Sequence, residues 1–251
     1  MVCALAAIGA GAIAARAAAP GPACPASAPS VFADNGAGAL LAGRGGAQRP
    51  LRLLAIGSSS TLGVGASAPA NAYPAQLALD LSSQWGVAAE VRNAGVGGET
   101  SGGTLARLRG ELAHGAPDLV IWQVGTNDAV AGVDAAVFRA NLEAGVLAAR
   151  ARRVPIILVD PQFCPGVKNL ARFEQFVAVI ADVGARMRVP VFSRFAMMKA
   201  WAAKSAAVLS AALSPDGFHM DDRGYACFAR ALAGDIAREG EPLGRPAAAK
   251  M

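Results

Sequence analysis

The chain carries two histidines, His114 and His219, so a reaction that needs an imidazole base has two candidates. His219 ends the run Ser214-Pro215-Asp216-Gly217-Phe218-His219, just before a helix expected over 221–237. At a spacing of three in a helical turn, the Asp216 carboxylate and the His219 ring face each other. A carboxylate that holds one ring nitrogen leaves the other free to take a proton. A serine hydroxyl is inert until such a base does so. The concentrated nucleophiles are Ser58, Ser59 and Ser60, inside Gly57-Ser58-Ser59-Ser60-Thr61-Leu62-Gly63. Attack on a carbonyl also needs donors for the oxyanion that forms. The run Asn93-Ala94-Gly95-Val96-Gly97-Gly98 can expose backbone N–H groups, and Asn127, in Gly125-Thr126-Asn127-Asp128, offers a side-chain amide. The combination points to nucleophilic acyl transfer by a Ser-His-Asp triad, a constellation that occurs in several chain orders.

Other polar residues are weighed against this set. His114 precedes Gly115-Ala116-Pro117 and reads as a structural charge partner at a helix C-terminus. Asp128 is expected to tether the loop around Asn127. Asp160 and Gln162 either line a pocket, or Asp160 caps a turn before Pro161. Arg194 and Trp201 offer a substrate contact, with packing the better expectation for Trp201. The run Gly97-Gly98-Glu99-Thr100-Ser101-Gly102-Gly103-Thr104 approaches a phosphate-binding loop, but Gly103 stands where the lysine must be. Nucleotide binding is therefore disfavoured.

The elements that must position these groups alternate. Short apolar runs predict strands over 51–56, 87–92, 119–124, 154–159 and 189–192. Helices are expected over 73–85, with Leu77, Leu81 and Trp85 at steps of four, and over 103–113, with Leu105, Leu108 and Leu112 on one face. Further helices are expected over 134–152, with Val137, Phe138, Leu142 and Val146 inward, over 168–188, and over 221–237. This rhythm predicts an α/β fold, a parallel sheet with helices on both faces. In such folds ligands bind outside the carboxyl ends of the strands, which is where the polar runs lie.

Four of these runs carry a resemblance. Gly57–Gly63, Asn93–Gly98, Gly125–Asp128 and Asp216–His219 resemble, in order, the Gly-Asp-Ser-x-x-x-Gly, Asn-x-Gly-x-x-Gly, Gly-x-Asn-Asp and Asp-x-x-His blocks of the SGNH (GDSL-type) hydrolase superfamily. The likeness covers about residues 51–238. It implies a flavodoxin-like three-layer α/β/α sandwich with a five-stranded parallel sheet, and a serine esterase that needs no metal or cofactor. It implies Ser59 as nucleophile, His219 as base and Asp216 as its orienting carboxylate. The oxyanion hole would combine the Ser59 and Gly98 N–H groups with the Asn127 amide. Ser58 departs from the pattern where the family has Asp, and is similar to a Gly-Ser-Ser-Ser-Thr variant among bacterial members. That leaves the hydrogen bonding of the nucleophile loop open, with Ser58 and Ser60 as rivals to Ser59. An acyltransferase with the same triad, a non-catalytic binding protein on the same fold, and a nucleotide-binding flavodoxin-like protein are the alternatives.

Composition bounds the rest. Lys and Arg number 23 against 18 Asp and Glu, a net charge of +5. No run of like charges accompanies it, so a nucleic-acid partner is not expected. A small-molecule or carbohydrate ester, with a small acyl group such as acetyl, is the expected substrate. No unbroken apolar stretch is long enough to span a membrane. Residues 1–50 are dominated by Ala, Gly and Pro, with four charges (Arg16, Asp34, Arg44 and Arg49). They read as a signal peptide and linker, which predicts export to the periplasm or medium, with a cytoplasmic protein behind an Ala-rich leader as the alternative. Residues 51–238 form the hydrolase domain and 239–251 a polar tail. Export would permit disulfides. A Cys24–Cys227 bond is preferred because it tethers the N-terminal segment; Cys164–Cys227 and reduced thiols are the alternatives.

Overall fold

One sheet of five parallel strands organises the computed structural model, which describes residues 24–25, 49–85, 88–115 and 117–240. The strands are β1 (Leu51–Gly57), β2 (Ala89–Gly95), β3 (Leu119–Gln123), β4 (Ile156–Val159) and β5 (Val191–Phe192), in spatial order β2-β1-β3-β4-β5. β3 and β4 are buried along their whole length, as expected of central parallel strands covered on both sides. Edge strand β2 alternates half-buried and exposed residues through its first half.

The helices are α1 (Ser59–Leu62), α2 (Tyr73–Trp85), α3 (Ser101–His114), α4 (Thr126–Ala131), α5 (Ala135–Ala151), α6 (Leu170–Met187), α7 (Arg194–Lys204), α8 (Ala206–Ser210) and α9 (Asp222–Gly240). α2 packs on α9, and α5 packs between α3 and α6. The sheet lies between these groups, the three-layer arrangement expected when right-handed crossovers leave β1 in opposite directions. α6 shows how the sequence drives this. Phe173, Phe176, Ile180 and Val183 recur at helical spacing and are buried, each contributing about 1.5–3 kcal/mol relative to exposure.

Several boundaries differ from expectation. Residue 87, the expected start of the second strand, lies outside the described residues. β2 runs on to Gly95 because Ala55, Ile56 and Gly57 of β1 pair with Asn93, Ala94 and Gly95, so those residues belong to the strand and not to the turn after it. β4 begins two residues late, since Val154 N–H donates back to Ala149 O at 3.0 Å and Arg153 takes a left-handed φ of 55°. Val137 is 54% exposed, whereas Phe138, Leu142 and Val146 are buried; it sits one position off their stripe. The segment 193–213, between the last expected strand and the last expected helix, contains α7 and α8. Phe195, Met198 and Trp201 of α7 are buried at helical spacing, a period the sequence already carried.

Cys24 and Cys227 are joined by a disulfide, which fixes an N-terminal residue to α9, and Cys164 is a buried free thiol. The remainder of the leader and the tail beyond 240 lie outside the described residues. Among the described residues no helix is long and apolar enough to cross a membrane.

Candidate active site

The strand order reverses between β1 and β3: one connection leaves β1 toward β2, and the next returns past β1 to β3. Ligand sites of open parallel sheets form at such a point, beyond the carboxyl ends of the strands. Ser59 stands there, as the first residue of α1 after the turn at Gly57–Ser58. The turn is tight. A Cβ on Gly57 would lie 2.4 Å from Thr61 Oγ1 and 2.7 Å from the Gln123 carbonyl oxygen.

Three consecutive serines have three different environments. Ser58 is buried, and its N–H and hydroxyl both donate to Gln123 Oε1, at 3.1 and 3.2 Å. Thr61 Oγ1 donates to the same oxygen at 3.2 Å. Ser60 is buried as well. Only Ser59 is half-exposed, and its Oγ lies 2.9 Å from His219 Nε2. Gln123 was not singled out from sequence, although it is the one polar residue in the buried strand Leu119–Gln123. It supplies the acceptor that holds the nucleophile loop.

His219 Nδ1 lies 2.6 Å from Asp216 Oδ2. The pair does not sit on a helical turn, as the spacing suggested, but in the loop before α9. Asp216 builds that loop: its Oδ1 accepts the N–H groups of Phe218 and His219, at 2.8 and 2.9 Å, and the Ser214 hydroxyl at 2.7 Å. Side-chain bonds to backbone two and three residues on hold such turns without a helix. Partial desolvation pushes the Asp216 carboxyl up, but the bonds from His219, Phe218 and Ser214 outweigh it and hold it below the usual carboxylate range. An ionised Asp216 fixes the tautomer with the proton on Nδ1, which leaves Nε2 to accept from Ser59.

Gly98 and Asn127 approach from the neighbouring strand ends. Gly98 has φ +77°, a left-handed backbone that favours glycine. Neither its N–H nor that of Ser59 donates to another group among the described residues. Asn127 Nδ2 donates one hydrogen to Glu99 O at 2.9 Å; an amide carries a second. Asp128 tethers this loop as expected, accepting the Ser101 N–H at 3.0 Å and its hydroxyl at 2.6 Å. His114 is at the end of α3, with Nδ1 2.8 Å from Gly110 O.

The remaining candidates support the site from behind. Asp160 is buried and neither lines the mouth nor caps a turn at Pro161. Its carboxylate accepts Phe195 N–H at 2.8 Å and the Ser193 hydroxyl at 2.6 Å, at the start of α7. Burial pushes this carboxyl up to about 7 against those bonds. Arg194 is fully buried; Nη2 donates to Gln162 Oε1 at 2.8 Å, which also accepts Thr126 Oγ1 at 2.9 Å. Trp201 packs in the core. Cys164 donates to Phe218 O at 3.2 Å, and burial pushes its thiol up to about 12, so it is no rival nucleophile. A cavity of about 550 Å³ meets the triad at Asp216, with Ala129, Val130, Phe173, Phe218 and Lys168 also lining it; Ser59 and His219 do not line it.

Known proteins share this fold. The esterase TesA of Pseudomonas aeruginosa is 32% identical over 131 residues, which is 47% of this chain and 65% of that protein, so just under two thirds of its length is matched. The crystal structure of a TesA superposes with a TM-score of 0.63 at 25% identity, covering 73% of this chain and 97% of the other. A lipase/acylhydrolase from Enterococcus faecalis gives 0.64 at 25% identity, over 77% of this chain and all of that one. The profile of the non-GDSL lipase-like family matches residues 23–241. The chain, with serine in place of the aspartate that gives GDSL enzymes their name, therefore belongs to the non-GDSL lipase-like family and so to the SGNH hydrolase superfamily.

Proposed function

We propose that this protein is a serine esterase. One observation carries the reading: the continuous chain of hydrogen bonds from Ser59 Oγ through His219 to Asp216, opening at the sheet's switch point. The likeness to an enzyme named esterase supports ester hydrolysis as the reaction. His219 Nε2 takes the Ser59 proton as Oγ attacks the ester carbonyl. The oxyanion gathers the Ser59 and Gly98 N–H groups and the second Asn127 amide hydrogen. The bond to the alcohol oxygen then breaks, and the alcohol leaves with the proton from Nε2. Water attacks the acyl-Ser59 carbonyl, gives its proton to Nε2, and the acid departs as Ser59 regains that proton.

The acyl group proposed is small, such as acetyl; the cavity of about 550 Å³ meets the triad at Asp216 and is lined by neither Ser59 nor His219. The Cys24–Cys227 bond supports an oxidising compartment, and with it export.

The test is turnover of p-nitrophenyl esters from acetate to decanoate by wild type and Ser59→Ala, with fluorophosphonate labelling of both. Turnover and labelling in the wild type alone are expected, with a kcat loss on the order of 10⁴ or more in the variant. A folded wild type that neither labels nor turns over any ester overturns the reading.

A further inference from the structure

Arg107 lies outside the triad and outside the three proposed oxyanion donors, yet its guanidinium binds the segments that carry them. Its Nη1 donates to Ala94 O at 2.7 Å and its Nη2 to Gly57 O at 3.3 Å. Nε donates to both Glu99 carboxylate oxygens at 3.0 Å, and Nη2 also pairs with Glu99. Gly57 closes β1 and precedes the Ser58–Ser59 turn. Ala94 is in the last two residues of β2, four before Gly98. Glu99 follows Gly98 directly, and its carbonyl oxygen is the acceptor for the Asn127 amide. One side chain thus joins the supports of the Ser59 N–H, the Gly98 N–H and the Asn127 amide.

The geometry makes room for this contact. A Cβ on Gly103, one turn earlier on α3, would lie 2.7 Å from Glu99 Cγ. The pair is also not an ordinary surface bridge. Its side chains are 29% and 16% exposed, and two of the acceptors are strand-end carbonyls. A planar fork with five donors serves a carboxylate and two carbonyls at once, whereas a lysine ammonium is a point charge on a flexible stem.

We propose that Arg107 is a positioning residue for the oxyanion hole, holding the β1 and β2 ends in the register that aims the Ser59, Gly98 and Asn127 donors at one point. This role rests on the esterase reading. Misplacing a transition-state donor by about 1 Å costs on the order of 10² in rate. It acts on the tetrahedral species more than on the bound ester.

The experiment measures kcat and KM for p-nitrophenyl ester hydrolysis by wild type, Ser59→Ala, Arg107→Met, Arg107→Lys and Arg107→Ala, with thermal unfolding of each. Arg139→Met, which loses a bridge to Asp182 between α5 and α6, serves as control. Arg107→Met is expected to lose on the order of 10–10² in kcat with KM within about twofold. Arg107→Lys should recover part of this. Free guanidinium should raise the Arg107→Ala rate several-fold, and methylammonium should not. The control should match wild type. A folded Arg107→Met with wild-type kcat overturns the proposal. So does a rate loss that tracks unfolding and is not rescued by guanidinium. If Arg107→Met does not fold, Arg107→Lys decides: a kcat loss at unchanged KM supports the role, and wild-type kcat overturns it. A wild type no faster than Ser59→Ala overturns the esterase reading and this role together, whereas an active wild type with unaffected Arg107 variants overturns this role alone.

Discussion

Gln123→Leu removes the acceptor that holds the nucleophile loop. Gln123 Oε1 collects three buried donors, the Ser58 N–H, the Ser58 hydroxyl and the Thr61 hydroxyl. A buried donor left without a partner costs about 1–3 kcal/mol. The Ser58 N–H has no freedom to turn and takes that full cost. The two hydroxyls can rotate, and Thr61 Oγ1 keeps a contact with Tyr73 OH at 3.2 Å, so together they add about 1 kcal/mol. Against this, Gln123 Nε2 is buried with no partner among the described residues, and removing it recovers about 1 kcal/mol. The net loss is about 2 kcal/mol, a fall of roughly 1 M in urea midpoint for an m-value of about 2–3 kcal/mol/M. The Ser58 anchor is adjacent to Ser59, so kcat should fall on the order of 10–10² as the hydroxyl leaves its alignment with His219. Urea unfolding and p-nitrophenyl ester kinetics measure both effects. Gln123→Glu keeps an acceptor and should retain more activity. A Gln123→Leu protein with an unchanged midpoint and unchanged kcat would refute the reasoning.

Three other outcomes are expected. Asn127→Ala should lose on the order of 10²–10³ in kcat with little change in KM; steady-state kinetics reads this, and an unaffected kcat removes Asn127 from the oxyanion hole. Asp160, held protonated in the fold up to about pH 7, binds a proton there that the unfolded chain has already released. Stability should therefore fall as pH rises from about 4 to about 7, by up to about 1.4 kcal/mol per unit, and level off above; Asp160→Asn should flatten that slope in denaturant titrations. Cys227→Ser should cost about 2–4 kcal/mol, seen as a lower unfolding midpoint that reductant reproduces in the wild type but not in the variant.

The strands and the long helices were legible because apolar periodicity is local. Leu105, Leu108 and Leu112 needed only their own spacing to be placed on a buried face, and they are buried. Ser59 and Asn127 were legible as polar residues just beyond strand ends, whereas His219 lies in the loop before α9 and was legible only from its Asp-x-x-His motif. What was not legible depends on packing. The stretch around Asp216 and His219 has helical spacing, but Asp216 spends its carboxylate on its own loop, and nothing in the spacing distinguishes a helix from that turn. Arg194 carries a charge and reads as a substrate contact, yet α7 turns it into the core against Gln162. Gln123 gave a usable signal, a polar side chain in a strand otherwise apolar. Its partner became clear only when β1 and β3 lay side by side.

The bond between Cys24 and Cys227 spans a sequence separation of 203 residues, and so changes the topology of the polypeptide. Before it forms, the chain is a linear thread. Afterwards, most of the molecule, including every residue proposed for catalysis, belongs to a covalent ring that persists even when the fold is lost. A ring cannot pass through an opening that admits a single extended strand, because two strands would have to enter together. Any such passage therefore precedes oxidation, and closing the ring commits the chain to the compartment in which it folds.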